Sequence, residues 1–129
     1  MNLAYLAILA MILEYAFFGY MVGVVRGRYK LAAPAISGHA DFERYYRVQM
    51  NTLEQLIMVI PCTFIFAATW NPLWAALLGF GFVLTRIHYA WGYYRSAAGR
   101  HWGFVWGSVF TVLLGLGAGI GVVKGLIWG

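Results

Sequence analysis

Four long apolar runs divide the chain, and short polar stretches separate them. The runs cover about residues 3–25, 42–69, 72–94 and 102–127. A helix needs about 20 apolar residues to cross the hydrocarbon core of a bilayer, so each run is long enough to span a membrane. The pattern predicts an all-α integral membrane protein, in which four transmembrane helices form a bundle and residues 1–129 form a single membrane domain.

The amino-acid composition leads to the same fold class. The chain is 63% hydrophobic and 10% charged, whereas soluble domains are about 45–50% apolar and about 25% charged. Nine basic and four acidic side chains are too few to cover a water-exposed surface. The single cysteine, Cys62, excludes an intramolecular disulfide and a multi-cysteine metal site. The three histidines are scattered along the chain, so no metal site is expected.

Positive charge is concentrated in the segments that follow the first and third runs. These residues are Arg26, Arg28, Lys30, Arg44, Arg47, Arg95 and Arg100. The opposite side has the uncharged Trp70–Pro72 turn and Lys124. The positive-inside rule therefore predicts that the basic loops face the cytoplasm and that both termini face away from it. This orientation accounts for the net charge of +5, and nucleic-acid binding is not expected.

Many glycines within the runs are spaced by four residues. Small residues at this spacing let helices in lipid approach each other closely. The close contacts could lie within one subunit or between subunits. The glycines concerned are Gly19, Gly23 and Gly27, then Gly103 and Gly107, and finally Gly115, Gly117, Gly119, Gly121 and Gly125.

Two stripes of polar side chains run along neighbouring helices toward the basic side. The residues on one face of the second helix are Arg44, Arg47, Asn51 and Glu54. Those on one face of the third helix are Arg86, Tyr89 and Tyr93. Ionisable groups at membrane depth usually mark a function, so we predict an anion-attracting cleft. A small thiol with two carboxylates fits such a cleft, and so does an anionic lipid headgroup. Snorkelling to the lipid headgroups accounts for arginines and lysines at the helix ends.

Glu14 is the only charged residue inside the first run. A carboxylate in contact with lipid at mid-span is costly, so we expect this side chain to face the protein interior. A polar group on the second helix of the same or an adjacent subunit is its expected partner. A protonated carboxyl group bonded to the backbone or to a hydroxyl is the alternative.

Two longer motifs resemble a known family. The segment FERYYRVQMNTLE, Phe42 to Glu54, resembles the signature F-E-R-x-x-R-x-Q-x-N-x-x-E of the MAPEG family, the membrane-associated proteins in eicosanoid and glutathione metabolism. The segment RIHYAWGYYRSAAGR, Arg86 to Arg100, resembles the pattern R-x-x-Y-x-x-G-Y-x-R-S-A-x-x-R of the leukotriene C4 synthase branch. Gln55 and Gly27 depart from that branch, which has a tyrosine and a second arginine at these positions.

The resemblance implies a homotrimer that binds glutathione, its co-substrate, between adjacent subunits near the cytoplasmic side. It implies that Arg100 is the catalytic residue, which stabilises the glutathione thiolate. It also implies that Arg86, Tyr89 and Tyr93 reach the site from the neighbouring subunit. The residues expected to bind glutathione are Arg26, Arg47, Gln49, Asn51, Glu54, Arg86, Tyr89 and Tyr93.

The function that follows from the resemblance is a membrane-bound glutathione transferase for detoxification of lipophilic electrophiles, with glutathione peroxidase activity on lipid hydroperoxides as an extension. A non-catalytic, lipid-binding member of the same family is one alternative, although the presence of Arg100 counts against it. A small proton-coupled multidrug exporter that uses Glu14 is another, and it leaves the arginine stripes unexplained.

Overall fold

The computed structural model describes residues 1–129 and consists of four long helices. Their bounds differ by at most three residues from the predicted ones, and all four are long and apolar enough to cross a membrane. The predicted four-span, all-helical fold is therefore confirmed. The helices are α1 (Asn2–Arg28), α2 (Ala40–Thr69), α3 (Pro72–Arg95) and α4 (His101–Trp128), and a short 3-10 helix, Ala97–Arg100, joins the last two.

The start of α3 follows directly from its sequence. The Asn71 side chain accepts a hydrogen bond of 2.7 Å from the backbone N–H of Leu73, and Pro72 occupies the first helical turn. Proline is favoured there because its missing N–H would have no partner in that turn. The uncharged turn between the second and third runs therefore lies where it was expected.

The start of α2 is capped by His39, whose Nδ1 accepts a hydrogen bond of 3.1 Å from the Asp41 N–H. The Asp41 carboxylate is engaged elsewhere, because it accepts the hydroxyl of Tyr29 and pairs with Arg44. The bond to this carboxylate raises the pKa of Tyr29, which lies between the first two helices.

The central pair of helices is α2 and α3, and both α1 and α4 pack against each of them. One core cluster takes residues from all four helices: Met11, Leu56, Val59, Phe82 and Leu114. Many other large apolar side chains are exposed on the outside of the bundle. That distribution is typical of a protein whose outer surface faces lipid.

Some of the glycines spaced by four residues lie in a helix–helix contact, and others lie on the outer face of the bundle. A Cβ at Gly103 would collide with the backbone of Tyr89, and one at Gly107 would press on the Thr85 side chain. These two glycines therefore let α4 pack closely on α3 within one chain. Gly115 and Gly119 face open space on the outside of α4.

Candidate functional site

The polar faces of α2 and α3 meet in a cleft at the basic end of the bundle. The cleft has a volume of about 730 Å³, and the 3-10 helix and the start of α4 close its far side. Its lining residues are Arg47, Asn51, Tyr89, Tyr93, Ala97, Ala98, Arg100, His101 and Phe104. A single chain thus brings together five of the nine predicted site residues.

Helical spacing and one tight connection give the cleft its shape. Arg47 and Asn51 are one turn apart on α2, and Tyr89 and Tyr93 are one turn apart on α3, so each pair projects from one face. After α3, the backbone of Gly99 lies directly against that of Gly92, where any Cβ would clash. Because both positions are glycine, the chain can fold back and bring the next residue, Arg100, beside α3.

Arg100 lies over the side chain of Tyr93. Its Nη1 atom donates a hydrogen bond of 3.4 Å to the Tyr93 hydroxyl, and its guanidinium carbon is 5.5 Å from the centre of the ring. The one salt bridge in the chain joins Arg44 to Asp41. The guanidinium groups of Arg47 and Arg100 therefore have no acidic partner within the chain, and both are available to an anion in the cleft.

Arg86 differs from the sequence expectation because it does not line the cleft. The residue is only 1% exposed and lies behind the cleft wall. One of its terminal nitrogens donates to the Asn51 amide oxygen and to the Thr52 hydroxyl, both at 2.9 Å, and its guanidinium stacks 3.9 Å from the centre of the Tyr89 ring. Arg86 thus holds Asn51 and Tyr89, and the Asn51 NH2 group remains a free donor.

Three other predicted residues, Arg26, Gln49 and Glu54, also lie outside the cleft. Arg26 donates to the carbonyl oxygen of Ala35 at 2.7 Å and to that of Ala32 at 3.3 Å, which fixes the connection between α1 and α2. The Gln49 amide lies beside α1, where a Cβ at Gly19 would be 2.9 Å from it. Glu54 is exposed and forms no hydrogen bond or ion pair.

The helices that share the cleft belong to one chain, which differs from the expectation for α3. Tyr89 and Tyr93 were expected to reach the α2 residues of a neighbouring subunit. They line the same cleft as Arg47 and Asn51 of their own chain. The reason is that α2 and α3 pack directly against each other.

Sequence reasoning missed the α4 side of the cleft, which consists of His101 and Phe104. These residues are three apart on one helix, immediately after Arg100, and that spacing was the available signal. Phe104 also lines a narrow apolar groove of about 400 Å³ along the outer face of α4, together with Val105, Ser108, Val109, Val112 and Leu113. Phe104 therefore joins the polar cleft to a surface of the type that faces lipid.

Gln55, one of the two departures from the motif, also lies outside the cleft. Its side-chain oxygen accepts a hydrogen bond of 3.3 Å from the Thr111 hydroxyl, which links α2 to α4. The other departure, Gly27, has open space around it at the end of α1.

Glu14 is buried, as its mid-span position predicted, with only 9% of its surface exposed. Within its own chain Glu14 has no partner on α2, because neither carboxylate oxygen forms a hydrogen bond. The carboxyl group instead lines a groove between α1 and α3.

Comparison with known proteins gives a consistent result over most of the chain. The MAPEG family model matches residues 3–120. The chain is 32% identical to bovine (Bos taurus) microsomal glutathione S-transferase 2 over 115 residues, which cover 88% of this chain and 78% of that protein. It is 33% identical to guinea pig (Cavia porcellus) leukotriene C4 synthase over 95 residues, 74% of this chain and 63% of that protein. An uncharacterized protein of Synechocystis sp. is 47% identical over 97 residues, 75% of this chain and 71% of that protein.

Proposed function

This chain belongs to the MAPEG family, and from that premise we propose that it is a membrane-bound glutathione transferase. Glutathione is the co-substrate, and its thiolate attacks lipophilic electrophiles. In a peroxidase reaction, two glutathione molecules reduce a lipid hydroperoxide to its alcohol and water and are themselves oxidised to glutathione disulfide. The observation that carries the proposal is the cleft, in which two guanidinium groups without acidic partners, Arg47 and Arg100, lie beside the polar groups of Asn51, Tyr89 and Tyr93.

The cleft suits a small anionic peptide in size and in chemistry. Small-molecule sites usually have volumes of about 300–1,000 Å³, and this cleft has about 730 Å³. In the proposal, Arg47 binds a glutathione carboxylate through the forked hydrogen bonds that guanidinium groups form. The free NH2 group of Asn51 donates to the peptide, and Arg86 supports Asn51 from behind.

Arg100 is the proposed catalytic residue. A thiolate beside its guanidinium is stabilised relative to the thiol, which lowers the thiol pKa by roughly one to three units from about 8.5. The thiol proton leaves to water at the open side of the cleft. The sulfur then forms a bond to the electrophilic carbon, and the leaving group departs with its electron pair. The Tyr93 hydroxyl accepts a hydrogen bond from Nη1 of Arg100 and helps to keep the guanidinium in place.

The lipophilic substrate reaches the sulfur along the outer groove of α4. This groove is apolar, and Phe104 belongs both to the groove and to the cleft. A membrane-dissolved electrophile can therefore approach from the bilayer, while glutathione enters from the aqueous side. By the distribution of basic residues, the aqueous side is the cytoplasm and both termini face away from it.

A homotrimer completes the proposed site. Arg26 and Gln49 make their contacts on the α1 side of the subunit and do not line the cleft of their own chain. We propose that they contribute to the cleft of an adjacent subunit. Glu54 follows Asn51 on the same face of α2 and extends the site by one turn toward the bilayer centre.

The proposal is tested by titrating glutathione into the detergent-solubilised protein in a calorimeter and by measuring conjugation to a model aryl halide. Wild type should bind glutathione and form the conjugate. Arg47→Ala should bind it at least about tenfold more weakly, because a charge-assisted hydrogen bond contributes roughly 1.5–3 kcal/mol. Binding without conjugation of any tested electrophile would support a non-catalytic role. The absence of glutathione binding would contradict the proposal.

A further inference from the structure

A second groove lies on the outside of the bundle, between α1 and α3. It has a volume of about 700 Å³ and shares no lining residue with the glutathione cleft. Its walls are almost entirely apolar, with Leu13 and Phe17 on α1 and Val83 and Ile87 on α3. Glu14 contributes the one carboxyl group in this lining.

Polar atoms without partners are concentrated in this groove. Both carboxylate oxygens of Glu14 and the hydroxyl of Tyr94 are buried and form no hydrogen bond within the chain. No basic group lies within ion-pair distance of Glu14. An unpaired carboxylate in an apolar environment is costly, and proteins usually pair such a group. The groove therefore presents the two oxygens of Glu14 and the hydroxyl of Tyr94, none of which is hydrogen-bonded within the chain.

Two arginines act on the same region, and neither of them neutralises Glu14. Arg86 forms its hydrogen bonds with Asn51 and Thr52, its Nε atom has no partner, and it makes no ion pair with Glu14. Arg95 lies at the mouth of the groove, where its guanidinium stacks 4.7 Å from the centre of the Trp91 ring. Because Arg95 is exposed to solvent, water weakens its repulsion of any cation bound near Glu14.

We propose that this groove binds a lipophilic primary amine taken up from the membrane. The ammonium group lies on the Glu14 carboxylate, and the alkyl chain lies along Leu13, Phe17 and Ile87. A primary ammonium has three N–H donors, which match the two Glu14 oxygens and the Tyr94 hydroxyl. A fatty acid would be repelled by Glu14, and an alcohol offers one donor and no charge. The proposal does not depend on the glutathione cleft.

Equilibrium dialysis of decylamine against the detergent-solubilised protein tests the proposal, with protein-free micelles as the blank. Wild type should bind decylamine saturably, with about one site per chain. Decanol should bind at least about tenfold more weakly than decylamine, because it has no charge to pair with the Glu14 carboxylate. Decanoate should show no saturable binding. Equal binding of decanol and decylamine, or no saturable decylamine binding by wild type, would overturn the proposal.

Substitutions of groove residues test whether decylamine binds in this groove. Glu14→Gln keeps the shape and removes the charge, so decylamine affinity should fall about tenfold or more, and Tyr94→Phe should cause a smaller loss. Glu43→Gln is the matched control, because it removes an exposed carboxylate at the start of α2. Ile87→Trp fills the groove from an exposed position and leaves Glu14 intact, so it should also abolish binding, even if Glu14→Gln fails to fold. Unchanged binding in Ile87→Trp would place the amine elsewhere and overturn the proposal.

Discussion

Arg100 is the side chain on which the proposed chemistry depends most directly. Without a nearby positive charge, a thiol with a pKa of about 8.5 is only about 3% ionised at pH 7. Since a guanidinium lowers the thiol pKa, Arg100→Ala should raise it by roughly one to three units. Turnover at pH 7 should therefore fall about tenfold or more, and the pH–rate profile should move to higher pH.

Two measurements check this prediction for Arg100. Thiolate absorbance in the ultraviolet on addition of glutathione should be lost in Arg100→Ala at pH 7, while calorimetric binding of glutathione stays largely intact because Arg47 and Asn51 remain. Lys30→Ala is the control, since it removes an exposed positive charge from the same end of the bundle. If the thiolate signal and the full activity persist in Arg100→Ala, another group stabilises the thiolate.

Arg86 acts on the cleft through the side chains that it positions. Arg86→Lys keeps the positive charge but cannot reproduce the planar guanidinium that bonds Asn51 and Thr52 and stacks on Tyr89. We expect the KM for glutathione to rise about tenfold or more, with a smaller effect on kcat, since one buried bond to a charged group contributes roughly 1.5–3 kcal/mol. A fall in kcat at unchanged KM would contradict this positioning role.

The limits of sequence reasoning are clearest for these polar residues. The 100° rule correctly assigned Arg86, Tyr89 and Tyr93 to one face of α3. The rule could not predict which of the three side chains is covered by α2 and which line the cleft. Arg86 is one turn further from the basic end, where α2 covers it, and the two tyrosines lie where α2 and α3 leave a cleft open. That boundary depends on how the two helices pack, which no single helix encodes.

Among the elements, α4 depends on glycine where it contacts α3. A Cβ at Gly103 would overlap the Tyr89 backbone, and a backbone cannot move aside as a side chain can. Gly103→Ala should therefore separate α4 from α3, lower the Tm by several degrees and reduce activity, because Tyr89 lines the cleft. The expected fall in Tm follows from the cost of overpacking, which is typically about 1–3 kcal/mol of folding free energy.

Gly119→Ala is the matched control for that prediction. It lies on the same helix, and a Cβ there meets open space. Alanine is favoured over glycine inside a helix by roughly 0.5–1 kcal/mol, so the Tm should stay constant or rise slightly. Thermal unfolding of both variants in the same detergent decides the matter. Equal Tm values would show that the close α3–α4 contact does not limit stability.

The four helices themselves were predictable, and the connection after α3 was not. Apolar run length, the Asn71–Pro72 turn and the basic clusters set the helix bounds to within three residues. The fold-back that brings Arg100 to Tyr93 depends on Gly92 and Gly99, which lie seven residues apart and meet only in three dimensions. The family resemblance assigned a role to Arg100, but the sequence pattern gave no position for it.

For the whole molecule, the proposed trimer predicts that two variants with weakened clefts can restore each other at glutathione concentrations too low to saturate either one. Arg47→Ala damages the cleft of its own chain, whereas Gln49→Ala removes a group that we propose acts in the cleft of a neighbour. In a mixed trimer, some clefts combine an intact Arg47 from one chain with an intact Gln49 from the next. Co-expression of the two variants should therefore give more activity than either variant alone.

The composition of the mixed assembly must be measured together with its activity. Distinct affinity tags on the two variants allow purification of mixed complexes, and native mass spectrometry should show three chains per complex. Arg47→Ala co-expressed with Arg100→Ala is the matched control, because both residues line the cleft of one chain. That pair leaves no cleft intact, so co-expression should give no more activity than the single variants. Restored activity in the control, or none in the test pair, would mean that Gln49 does not act across a subunit interface, and a purely monomeric protein would exclude the trimer itself.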